Sequence, residues 1–133
     1  MTRMTAAGAA ALLLGLFLVA AAASPAGAGS PAYDQCIKQA DGNDPAMTDC
    51  TDVEFKRQDR ELNIVYKRVM SRLGEPARLK LRDEQRAWLK HLNKACDPDA
   101  QEGAGGTAGP LAAAGCALDA TEKRLAQLRR LDK

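Results

Sequence analysis

Four cysteines, Cys36, Cys50, Cys96 and Cys116, stand at long and irregular intervals, all of them downstream of an apolar N-terminal run. That order constrains the fold of this 133-residue chain more than any other feature. The run covers residues 6–23 without a charge and has Leu12, Leu13, Leu14, Leu16, Phe17, Leu18 and Val19 at its centre. Arg3 precedes it. Small residues follow it, first Ala21, Ala22, Ala23 and Ser24, then Ala26, Gly27 and Ala28. A basic residue, an apolar stretch and a small-x-small site form the pattern of a secretory signal peptide. Residues 1–28 are therefore expected to be a leader, with removal after Ala23 or after Ala28. Pro25 and small residues end the run, with no basic stop-transfer cluster. Stable membrane insertion after cleavage is not expected. The residues before Cys36 are Tyr33, Asp34 and Gln35, not the small residues of a lipid-modification site.

Export decides how the cysteines read. An even number in a short chain bound for the periplasm or the medium predicts two disulfides. Structural zinc sites use closely spaced ligand pairs, which these gaps do not provide. No metal and no cofactor is expected. Residues 29–133 make one small domain whose aromatics are Tyr33, Phe55, Tyr66 and Trp88. A domain of that size buries a modest core, and each disulfide contributes roughly 2–4 kcal/mol. The formal net charge of +2 gives no nucleic-acid footprint.

Periodicity predicts an all-α domain: a short N-terminal helix followed by three main helices in a bundle. Ser30-Pro31 opens the short helix as N-cap and first residue, and Gly42 ends it. Asp41-Gly42-Asn43-Asp44-Pro45 reads as a turn. Thr51 and Glu54 read as a capping box that starts the next helix. Its apolar face is Phe55, Leu62, Val65, Tyr66, Val69 and Leu73, with Gly74 and Pro76 at its end. The following helix carries Leu81, Gln85, Trp88 and Leu92 inward and closes at Cys96. Residues 97–115 read as a Gly/Ala-rich loop. The last helix is expected to start near Cys116, with Leu118, Thr121, Leu125 and Leu128 inward. In an up-down-up bundle, Cys50, Cys96 and Cys116 share one pole, within reach of Cys36. Four cysteines permit three connectivities. Cys36–Cys50 with Cys96–Cys116 is preferred, because the second bond then pins the ends of the loop.

Catalysis is not expected. Beyond residue 28 the only serines are Ser30 and Ser71, the thiols are taken up in disulfides, and Asp83 and Glu84 are adjacent and so point apart. Gln85-Arg86-x-Trp88 reads chiefly as structure, with Trp88 in the core and Gln85 bonding a helix end. A tryptophan and an arginine are also the usual anchors of a binding surface. Asn63, one turn before Tyr66, reads as a residue that satisfies a buried polar group. The lone His91 reads as exposed.

Four segments carry a resemblance. Asp59-Arg-Glu-Leu62-Asn63-Ile-Val-Tyr66 is similar to D-x-x-L-N-x-x-Y. Leu81 to Cys96 is similar to L-x-x-x-Q-R-x-W-L…C. Gly105-Gly106-Thr107-Ala108-Gly109-Pro110-Leu111 is similar to G-G-S-x-x-P-M, and Cys116…Thr121-x-x-Arg124-x-x-x-Leu128 to C…T-x-x-R-x-x-x-L. Together they resemble the lysozyme-inhibitor LprI-like N-terminal domain family of bacterial exported proteins. Leu92 and Asn93 depart from the family's Arg-Asp, and Thr107 from its Ser. The resemblance implies an exported, non-enzymatic protein-binding domain. Its partner would be a lysozyme-type cell-wall hydrolase, with Arg86 or Gly105, Gly106 and Thr107 entering a carboxylate-lined cleft. Net charge offers no long-range steering towards basic animal lysozymes. The alternative is an accessory envelope protein that docks another envelope protein and inhibits nothing.

Overall fold

The computed structural model describes residues 29–100 and 106–133. The expected leader and Gly105 lie outside the described residues. The order is α1 (Pro31–Ala40), α2 (Asp44–Arg72), α3 (Glu75–Ala95), a 3-10 turn at Pro98–Ala100, and α4 (Ala108–Leu131). The fold is all-α, a short helix followed by three long ones.

Helix α1 starts at Ser30, whose side chain accepts from the Tyr33 backbone N–H, with Pro31 in the first turn. It ends where Asp41 and Gly42 adopt φ of 46° and 77°. These are left-handed values that Gly tolerates freely and Asp better than most residues. The chain reverses there and starts again at once. Asn43 Oδ1 accepts from Ala46 N–H at 3.0 Å, and Pro45 sits in the first turn of α2, where its missing N–H costs nothing.

Two expectations about helix starts are corrected here. Thr51 and Glu54 do not form a capping box, because α2 already runs through them. Thr51 Oγ1 donates to Met47 O at 2.8 Å, one turn back. Nor does residue 115 end a loop, because α4 begins at Ala108. Pro110 falls in the first turn, whose N–H groups have no intrahelical acceptors. Leu111 to Ala114 are strong helix formers that outweigh Gly109 and Gly115.

Helices α2 and α4 lie side by side and parallel. Asp44 meets Thr107 at one end, Gln58 meets Glu122 midway, and Arg68 and Arg72 meet Asp132 at the other end. Helix α3 returns antiparallel along them. The core is Leu62, Val65, Val69, Leu81, Leu125 and Leu128, with Tyr66, Met70, Leu73 and Trp88 packed around it. The three periodic stripes face it, except that Phe55, expected on the inward face of α2, is half-buried outside this cluster while Glu54 and Gln58 take the buried positions. Gln85, Leu92, Leu118 and Thr121 are buried as well.

Two disulfides staple the end of the bundle where α2 and α4 begin. Cys36–Cys50 ties α1 to the second turn of α2 with Cα atoms 5.8 Å apart. Cys96–Cys116 ties the end of α3 to α4 with Cα atoms 5.4 Å apart. Cys50 and Cys116 both lie inside helices rather than at helix starts.

Candidate functional site

The buried face of α2 continues towards its N-terminus in polar residues. Thr51, Glu54 and Gln58 are as buried as Leu62, Val65 and Val69. Glu54, 3% exposed, accepts from the Ser30 backbone N–H (3.1 Å), Ser30 Oγ (2.8 Å), Arg57 Nε (2.9 Å), Arg57 Nη2 (2.6 Å) and Gln58 Nε2 (3.2 Å). The same Gln58 nitrogen donates to Glu122 Oε1 at 2.7 Å, joining α2 to α4. The Arg57 guanidinium holds the Glu54 carboxyl down at about 2, with the Ser30 and Gln58 donors assisting and burial opposing. Arg57 is raised in turn by the carboxylate it binds. Glu61 extends the network, pairing with Arg57 at 3.4 Å and with Arg129 from α4. The Glu54 carboxylate is thus fully bonded within the fold, and the group is a structural clasp between α1, α2 and α4.

Outside the core, α3 presents a different surface. Arg82 pairs with Asp83, and Lys80 lies 3.9 Å from Glu84. From Gln85 to Cys96 the helix carries Arg86, Lys90, His91 and Lys94 and no carboxylate. All four are exposed. Among the described residues none of them has an ion-pair partner. Arg86, Lys90 and Lys94 follow one another at four-residue steps and form a line of cations along one side of the helix.

The other residues singled out in the sequence fall in several places. Trp88 packs against the core cluster. Gln85 is buried, but it does not bond a helix end. Its Oε1 accepts from Arg124 Nε at 2.9 Å, so two motif residues lock α3 to α4. Arg124 also reaches Gln127, and its Nη2 is buried without a partner. Thr121 and Leu128 are fully buried, and Thr121 Oγ1 has no partner. Asn63 is exposed rather than buried. It donates to Asp59 O (2.8 Å) and Asp59 Oδ2 (3.1 Å), pairing two motif residues one turn apart on the surface. Leu92, at a departure from the family pattern, is buried in the core as an apolar replacement. Gly106 has φ of 70°. Thr107, at the other departure, donates from Oγ1 to Asp44 Oδ2 at 2.9 Å. Thr107 therefore belongs to the pole where α2 begins. Arg86 lies ten residues before Cys96, about 15 Å along the helix axis. The structure does not bring Arg86 and Gly106–Thr107 together, and Lys90 and Lys94 fill the interval.

A shallow cleft of about 340 Å³ lies beside the Cys36–Cys50 bond, lined by Gln39, Ala40, Ala46, Asp49 and Val53 as well as the two cysteines. Asp49 is its single charged side chain. No three His, Cys, Asp or Glu side chains converge on a metal position among the described residues. No helix among the described residues is long and apolar enough to cross a membrane.

These features define a class: an up-down-up helical bundle stapled by disulfides, of the kind made for oxidising compartments. Within that class, the chain belongs to the lysozyme inhibitor LprI family, whose model matches residues 36–128. The chain is also 30% identical over 129 residues to the uncharacterized protein R02472 of Rhizobium meliloti (strain 1021), covering 87% of this chain and 91% of that protein. No solved structure matches it.

Lys90 and Lys94 were not anticipated as companions of Arg86, although no acid stands between Glu84 and Asp97 in the sequence. It also missed the partners that Glu54 gains across the bundle.

Proposed function

We propose that this domain is exported to the periplasm or the medium, where it inhibits a cell-wall hydrolase of the lysozyme type, and that it has no catalytic activity. The observation that carries the reading is the match to an inhibitor family over nearly all of the described chain. The mechanism is occlusion. A glycoside hydrolase cleft holds two carboxyl groups within several ångströms of each other. The acid-free half of α3 offers such a cleft Arg86, Lys90 and Lys94 in a row on a rigid helix. A guanidinium can bind a carboxylate through two parallel hydrogen bonds. Gly106 and Thr107, at the pole beyond Lys94, form the second edge of the contact.

The test is a lysis assay with mature protein and lysozyme on a peptidoglycan suspension. Slowing that rises with dose and is lost after reduction and alkylation supports inhibition. R86A should weaken it about fivefold or more, the size of a loss of over 1 kcal/mol at an interface anchor. No slowing at large molar excess removes the lysozyme reading.

A second reading keeps the domain as an accessory envelope protein. Val53 and Ile64 favour it. They are 68% and 58% exposed, three turns apart, on the side of α2 turned away from the core. Docking through that face leaves lysis unchanged and is weakened by V53D.

A further inference from the structure

The small net charge of the chain hides a division. Residues 29–55 hold six carboxylates, on Asp34, Asp41, Asp44, Asp49, Asp52 and Glu54, against one base, Lys38. In residues 56–133 bases outnumber acids by 17 to 11. Two of the six carboxylates serve the fold. Glu54 is held by Arg57, and Asp44 accepts from Thr107 at the start of α2.

Asp41 and Asp49 serve it in no such way. Both are exposed, and among the described residues neither carboxylate has a hydrogen-bond or ion-pair partner. Asp41 stands at the C-terminus of α1, the end where the helix dipole disfavours a negative charge. Asparagine tolerates its left-handed φ of 46° as well and carries no charge. Asp49 is the sixth residue of α2, beyond the first turn in which the dipole favours an acid. Its neighbours three and four residues away are Pro45, Ala46, Asp52 and Val53, with no base among them. The fold carries these two charges without gaining from them.

Both flank the cleft beside the Cys36–Cys50 bond. Asp49 lines it on α2, and Asp41 directly follows Ala40, which lines it on α1. The rest of the lining is Ala40, Ala46, Val53 and the disulfide, with Gln39 as the other polar side chain. Helical spacing puts Lys38 on the far side of α1 from Cys36, Gln39 and Ala40. Arg57, one turn past Val53, is held by Glu54 and Glu61. From Ala46 to Val53 the α2 wall is about 10 Å long, roughly the span of three extended residues. We infer that this cleft docks a short protein segment in which an aliphatic side chain stands beside a lysine or arginine. The aliphatic group packs on the disulfide, Ala40, Ala46 and Val53, and takes the 68% exposed Val53 out of water. The cation pairs with Asp49, with Asp41 adding to the field at the rim. A segment bearing a carboxylate there is repelled by both. The inference deepens the accessory reading of the Val53 face by naming the partner's chemistry. It is tested on this protein without lysozyme or envelope extract, so its outcome and the outcome of that reading are separate.

The test follows the amide signals of the exported, oxidised and isotope-labelled protein by NMR. The probe is a capped hexapeptide of alternating leucine and arginine. One control peptide replaces leucine by serine, and the other replaces arginine by glutamate. The probe alone should give saturable shifts, centred on Gln39, Ala40, Ala46 and Val53. D49K should weaken its binding about fivefold or more, because an attractive charge becomes a repulsive one. V53S should weaken it as well. Residues 49 and 53 are exposed, so both variants keep the fold, which circular dichroism checks. D41N and D49N should leave the urea midpoint unchanged or raise it. A clear loss of stability in either would assign these acids to the fold and overturn the inference. Equal binding of either control, shifts centred elsewhere, or no saturation at millimolar peptide overturns it too. Shifts of the same signals on concentrating the protein alone would make a second copy the occupant, which also overturns it.

Discussion

The two halves of the buried face of α2 solve one problem in opposite ways. From Leu62 to Val69 the helix buries hydrocarbon against Leu81, Leu125 and Leu128. From Thr51 to Gln58 it buries an alcohol, a carboxylate and an amide, and every bond they need comes from a named partner. The apolar half is held by contact area, which is forgiving of direction and close to independent of pH. The polar half is held by direction and charge, and both disulfides cross-link the bundle near it. The difference has a physical logic. A buried carboxylate contributes little net stability over a well-packed apolar group, but it penalises every arrangement that leaves it unpaired. The apolar half supplies cohesion. The polar half fixes where α1 and the chain start must lie.

The largest expected effect comes from the apolar half. Leu128 is 0% exposed at the centre of the core. L128A should cost 2–5 kcal/mol by loss of burial and by the cavity it leaves. Urea unfolding followed by circular dichroism measures it, and the loss should be the same at pH 7 and pH 3. A loss below about 1 kcal/mol would mean that the disulfides, not the core, carry the cohesion of this end.

The polar half should respond to pH instead. The Glu54 carboxyl titrates at about 2 in the fold, against 4.5 for a free glutamate. Above pH 4.5 the clasp is fully charged and its contribution complete. Below that, the unfolded chain takes up a proton that the folded one refuses, so stability falls with pH through the window from 4.5 to about 2. The shift corresponds to about 2 kcal/mol once solvent screening of the half-exposed Arg57 is allowed for. E54Q should lose about that much at pH 7. The gap between E54Q and the parent should close as pH falls through the same window, which unfolding midpoints at pH 7, 4 and 2.5 can follow. A gap that stays constant with pH would assign the clasp to packing alone.

The same contrast explains what could be read in advance. The inward residues of α3 and α4 (Leu81, Gln85, Trp88 and Leu92, then Leu118, Thr121, Leu125 and Leu128) follow from the 3.6-residue period, and so does the apolar half of α2. Helix class and bundle order were legible for that reason, and so was the Ser30-Pro31 start. The polar half was not, because its bonds join residues 24 and 64 positions apart and spacing along one helix says nothing of them. One signal was available: positions 51, 54, 58, 62, 65 and 69 form a single stripe, so Glu54 and Gln58 had to be buried. The S/T-x-x-E spacing of Thr51 and Glu54 masks that stripe by matching a capping box. Asn63 failed for a related reason. An Asn four residues after an Asp satisfies itself on the surface as readily as in a core. The early start of α4 was hidden by glycine count, which obscured a run of alanines. Of the candidate contact surface, only Arg86 and the Gly106–Thr107 edge were singled out.

The smallest effect separates the two starts of α2. If the helix began at Thr51, its hydroxyl would cap free N–H groups, and T51A would cost about 1 kcal/mol. In the structure, Thr51 Oγ1 donates to a carbonyl already bonded within the helix, and the cap is Asn43 Oδ1 on Ala46 N–H. Alanine at 51 gives up that weak back-bond and some packing but gains helix propensity. N43A leaves the first-turn donor to water and gains nothing in return. N43A should therefore cost about 1 kcal/mol and T51A distinctly less, both read from urea midpoints of the oxidised protein. The reverse order would move the helix start to Thr51. It would detach the turn carrying Cys50 from α2, and with it the argument that the polar half is one continuous face of the same helix.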